Sequence, residues 1–214
     1  SGDDLTRVDL SDVAIHLGRV LVDLMPDEPE AVGLLALMLL TEARRPARTD
    51  ADGALVRLSD QDRSRWDAQL VAEGHALVRA CLRRNQPGPF QVQAAIAAVH
   101  ADALDAASTD WHQVVTLYDQ LQALRPDAVV AMHRALAIGE RDGAAAGLAA
   151  LDEVDVSRLA DYQPYHAARA DLLARAGDPH AAVDAYDRAL ALTTNPTEAR
   201  FLDEQRRRVR HAGD

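Results

Sequence analysis

Apolar residues recur along most of this chain with a helical period. Leu10, Val13, Ala14, Leu17, Leu21 and Leu24 form an i, i+3, i+4, i+7 series, which predicts an amphipathic helix that buries this face. Asp12, His16, Arg19 and Asp23 fall on its wetter side. Met25-Pro26 ends it, because the residue before a proline is pushed out of the α region. The next helix opens at Asp27-Glu28-Pro29-Glu30, with Asp27 as the expected cap, Pro29 in the first turn and Glu30 bonding back to the cap. Its body, AVGLLALMLL, is apolar on all sides and should lie in the middle of its domain. Residues 46–59 are the one long stretch without helical pattern, with an Asp52-Gly53 turn and a short extended piece at 55–58. From about residue 61 to 84 the pattern predicts one long helix, entered through Ser59 and Asp62 as a capping pair, with Trp66, Leu70, Leu77 and Cys81 inward.

The run Asn85-Gln86-Pro87-Gly88-Pro89 breaks the chain and places a boundary there. It separates an N-terminal helical subdomain, 3–88 with its loop 46–59, from a repeat region, 89–214. In that region Val114, Leu148 and Ala182 recur at 34 residues, as do Leu117, Leu151 and Ala185, and Tyr118 and Tyr186 stand two such periods apart. A 34-residue period of paired helices is the tetratricopeptide (TPR) signature. The clearest unit has Ala170, a Gly177-Asp178-Pro179 turn, then Ala182, Tyr186 and Ala189. Gly177 suits a left-handed helix exit, Asp178 a cap and Pro179 a first turn. The final helix, opened by Asn195-Pro196, buries Phe201, Leu202 and Val209 and is polar elsewhere, as a capping helix should be. The expected fold is therefore all-α: helical hairpin repeats, a TPR-like solenoid, behind an N-terminal helical subdomain.

Composition sharpens the picture. The chain has 214 residues, 34 acidic against 23 Lys+Arg, and a formal charge of −11, which argues against nucleic acid or an anionic membrane as a direct partner. One cysteine, Cys81, excludes a disulfide framework and fits a reducing, cytoplasmic compartment. Ser1-Gly2 reads as a cleavage scar and suggests an excised fragment.

The strongest candidate constellation is His100, His133 and His166, spaced 33 and 33, in the first helices of three successive units. On a TPR scaffold those helices line the concave wall, so these residues, with Gln93, Arg134 and Arg169, form a candidate groove for a peptide, a protein loop or a small anion. The competing reading makes them packing histidines, since Ile96, Ala103 and Leu104 share the face of His100. A second candidate, Asp62, Arg63 and Trp66, is either a docking surface or a capped helix start with surface ion pairs. The run Arg206-Arg207-Arg208-Val209-Arg210 suits a solvated helix end. No phosphate loop, nucleophile elbow, zinc signature or catalytic relay is present, so neither catalysis nor a metal or other cofactor is expected.

Several ordered phrases carry a resemblance: DEPEAVGLLALMLLTEARRPAR, LSDQDRSRWDAQLVAEGHALV, GPFQVQAAIAAVHA, DWHQVVTLYDQL and YHAARADLLARAGDPHAAVDAYDRALAL. Together, from about residue 10 to 205, they resemble the TPR-like C-terminal extension of a group of bacterial extracytoplasmic-function (ECF) RNA polymerase sigma factors, of the sigma-24 or RpoE-like kind. The resemblance implies that sigma regions 2 and 4 precede this segment and make the polymerase and promoter contacts. The extension then controls the sigma core by intramolecular or partner-protein contacts, without binding DNA itself. It also implies small YCII-like, DGPF-containing proteins as partners or regulon members. The chain departs from the family at His133, where asparagine is usual, which changes the donor pattern of the groove. Two other readings stay open: a free-standing TPR adaptor that binds a peptide or partner protein, and an enzyme or metabolite sensor.

Overall fold

The chain is all-helical in the computed structural model, which describes residues 8–213. The Ser1-Gly2 start lies outside the described residues, and the side chains of residues 8, 9 and 213 are not described. Among the described residues there are ten α-helices and no strand; the only extended pairing is one bridge between Thr49 and Leu55. The chain divides into two compact units, Asp4–Arg125 and Pro126–Asp214. The division therefore falls at Arg125-Pro126, whereas the proline-glycine run at 85–89 is a turn inside the first unit.

The first unit holds α1 (Val8–Leu24), α2 (Pro29–Glu42), α3 (Ala68–Arg84), α4 (Pro89–Asp102) and α5 (Trp111–Leu124). The uniformly apolar α2 is its centre, packing on α1, α3 and α4, with Ala36, Leu39 and Leu40 fully buried. Gly33 lets α4 come close: a Cβ there would sit 2.7 Å from the Gln91 backbone nitrogen. The caps differ from the sequence expectation. Glu28, not Asp27, caps α2, accepting from the Glu30 N–H at 3.1 Å. The Glu30 carboxylate instead accepts from the Phe90 (3.0 Å) and Gln91 (3.3 Å) backbone N–H groups, so it caps α4 from another helix. Nor does one helix run from 61 to 84. Asp62 caps a short 3₁₀ turn at Arg63–Arg65, and Asp67 then caps α3 through Gln69 and Leu70. Two aspartates five residues apart each offer the backbone a side-chain acceptor, and this splits the segment.

The predicted burial of α1 is also inverted. Ile15 and Gly18 face α2, with Val22 partly buried, whereas Leu10, Val13, Leu17, Leu21 and Leu24 lie outward. Leu17 is 60% exposed and Leu24 76%. The helix is apolar on two faces, and the richer one has no partner among the described residues.

The second unit runs through α6 (Ala128–Asp142), α7 (Ala144–Asp152), α8 (Gln163–Arg175), α9 (Pro179–Leu192) and α10 (Pro196–Gly213), each packed on the next. Its best-formed hairpin is α8–α9. Gly177 leaves α8 at φ +86°, Asp178 accepts from the Ala181 N–H at 3.0 Å, and Pro179 takes the first turn. Ala170, Tyr186, Ala189 and Leu202 close that core, and Met132, Leu151, Leu159, Tyr165 and Leu172 form its neighbour.

Candidate functional site

The densest polar constellation lies in the first unit, where the segment between α2 and α3 meets the end of α4. The stretch just after α2 brings Arg44 and Arg48 there, the short 3₁₀ turn and the residue after it bring Arg63 and Trp66, and α4 and α5 bring His100 and Trp111. Helix α4 ends at Ala103, which turns into an extended conformation, and the last carbonyls of a helix have no partner within it. Arg63 supplies one. Its Nη1 donates to the carbonyls of His100 (2.5 Å) and Ala103 (2.8 Å), and its Nη2 to the Thr109 hydroxyl (3.2 Å). A cation at a helix C-terminus also complements the macrodipole.

The guanidinium carbons of Arg63 and Arg44 lie 5.4 and 5.6 Å from the centre of the Trp66 ring, within cation–π range. Burial, with repulsion from Arg48 and Arg63, lowers the Arg44 pKa to about 10. His100 packs edge-on against Trp111, with ring centres 5.3 Å apart. Burial, with the charges of Arg44 and Arg63, lowers its pKa to about 4, so it is neutral at pH 7. Trp66 Nε1, His100 Nδ1 and Arg63 Nε are buried with no hydrogen-bond partner.

The sequence-predicted residues distribute as follows. Arg63, Trp66 and His100 come together in this cluster, while Asp62 points to solvent and accepts from Ser64. Gln93, on α4, donates to the Pro89 carbonyl at 3.3 Å. His133, Arg134, His166 and Arg169 belong to the second unit. A ring nitrogen of His133 lies 2.8 Å from the Val129 carbonyl, and one of His166 lies 2.8 Å from that of Ala160. Arg169 is paired with Asp152 at 2.5 Å. The arginine run of α10 is likewise engaged with acids: Arg206 with Asp187 and Asp203, Arg207 with Asp203, and Arg208 with Glu204.

Arg44, Arg48 and Thr109 were not singled out by the sequence. Arg44-Arg45-Pro46 reads as an ordinary basic helix end, and only the fold shows Arg44 turned onto Trp66. A separate, mainly apolar pocket of about 480 Å³ lies between α3, the 85–87 turn, α4 and α5, with Cys81, Leu82, Val92, Leu117 and Leu124 on its walls. Burial raises the Cys81 pKa, and its Sγ donates to the Pro29 carbonyl at 3.8 Å, so the thiol is held in its unreactive form. Among the described residues no group of three or more His, Cys, Asp or Glu is placed to hold a metal, and no helix is long and apolar enough to cross a membrane.

Comparison with known proteins places the chain beside others without assigning it a role. Residues 1–82 match a family of unknown function, DUF6596. The chain is 43% identical over 205 residues to an uncharacterized protein of Rhizobium meliloti (strain 1021). That alignment takes in 96% of this chain but 48% of the relative, so the chain spans about half the length of the relative it matches. No solved structure matches it.

Proposed function

We propose that this chain is the regulatory C-terminal part of an ECF sigma factor, acting in the cytoplasm by docking on the sigma core of the same polypeptide. The ordered sequence phrases suggest that setting, and a relative with about as much polypeptide again leaves room for a sigma core. The observation that carries the reading is the outward face of α1. Leu10, Val13, Leu17, Val20 and Leu24 follow a 3-4-3-4 spacing and stand at least 38% exposed. This is the spacing of a helix–helix seam, and an apolar stripe of this length marks an interaction surface. Its rim carries Asp12 and Asp23, and the chain has a net charge of −11, which suits the basic surfaces of a DNA-binding core. On one tether, even weak contacts act at an effective concentration on the order of millimolar. Run-off transcription with bacterial core polymerase tests the role. The parent polypeptide should direct initiation at a promoter, and deletion of residues 3–214 or Leu17→Glu with Leu24→Glu should change that output. A parent without sigma regions 2 and 4, or output unmoved by either change, overturns the proposal.

A further inference from the structure

We propose that Arg44 and Arg63, which share the Trp66 ring, together with neighbouring Arg48, form a binding site for a small oxyanion, a phosphate or carboxylate group. Three guanidinium groups meet here in a strongly acidic chain, and the acids around them are engaged elsewhere. Glu42 pairs with Arg45, Asp60 with Arg57, and Asp62 and Asp105 accept from Ser64 and Ser108. Asp105 also reaches Arg63 electrostatically, but among the described residues neither Arg44 nor Arg48 has a carboxylate within ion-pair distance. Arg44 has one long contact, to Gln61 Oε1 at 3.5 Å, and Arg48 donates to the Thr41 carbonyl at 3.3 Å. Most of their donors are therefore uncommitted, in the fork geometry that suits oxyanions.

The ring that carries two of these cations also has an unsatisfied donor of its own. Trp66 is 8% exposed, yet its indole N–H has no acceptor, and neither does Arg63 Nε. Buried donors left without acceptors are costly and rare. All three arginines are half-buried, so the cluster is reachable from solvent. An oxyanion held by the uncommitted donors of Arg44 and Arg48 would supply the missing negative charge. His100, held neutral, adds no further positive charge. The site stands independently of the sigma-factor reading.

Thermal unfolding followed by tryptophan fluorescence tests it, with inorganic phosphate in one arm, acetate in another and chloride at matched ionic strength as control. At a tenfold excess over its dissociation constant the cognate anion should raise Tm by about 3 °C. The arm that responds identifies the class. Arg44→Met should raise Tm without anion, because it removes an uncompensated charge, and should abolish the anion-dependent rise. The Trp66 indole N–H resonance of the unmodified protein should move during the same titration. Equal Tm in all three arms with an unmoved Trp66 resonance, an Arg44→Met protein that keeps its response, or one less stable without anion overturns the proposal.

Discussion

Acidification should destabilise the first unit through His100 before the carboxylates respond. The imidazole titrates near 6.5 when exposed and near 4 in the fold, where burial and the charges of Arg44 and Arg63 disfavour its protonation. The folded pKa lies below the unfolded one, so between the two the unfolded chain binds more protons. Stability is complete above the unfolded value and is lost as pH falls toward the folded one. The full shift corresponds to about 3 kcal/mol, of which about 2 kcal/mol is lost between pH 7 and pH 5. The shifted carboxylates of Asp62 and Asp105 have pKa values below 3.8 and contribute only at lower pH. Both tryptophans, Trp66 and Trp111, lie in this cluster, so urea titrations followed by fluorescence at pH 7, 6 and 5 report on the unit that contains His100. His100→Gln should flatten the dependence over this window. A wild-type protein equally stable at pH 7 and 5, or a variant with the same slope, would refute the burial argument.

Three further outcomes follow from the packing. Glu30→Ala removes the carboxylate that caps α4 from α2 and should cost about 1 kcal/mol in urea denaturation of the first unit. Gly147→Leu should unfold the α6–α7 hairpin, seen as lost helical circular dichroism, because even a Cβ at this position would lie 2.8 Å from the Gly139 Cα. Cys81 should react with a thiol reagent at the rate of unfolding in native buffer and fast in denaturant, since burial raises its pKa.

Much of the second unit was legible from its own punctuation: Gly177-Asp178-Pro179 sets one hairpin and Asn195-Pro196 the last helix. Helix α1 shows where reading by periodicity fails. Its stronger apolar stripe was expected inside, but a pattern reports only that a face avoids water, not which molecule covers it. The weaker stripe of Ile15, Gly18 and Val22 turned out to face α2. The site was half legible. The 33-residue spacing put His100 in register with His133 and His166, yet register says nothing of burial. His100 is enclosed by two arginines brought in from residues 44 and 63, a contact across dozens of residues that no local pattern encodes. Likewise, Glu30 looked like half of a local capping box, because a short-range partner is the only one a sequence can display.

The proposed docking requires a sigma core to cover the outward stripe of α1. Isothermal titration of this chain against separately produced sigma regions 2 and 4, at low and high salt, tests it most directly. A saturable interaction is expected, weakened as salt rises and lost with Leu17→Glu and Leu24→Glu. No heat at either salt, or binding that both substitutions leave unchanged, would contradict it.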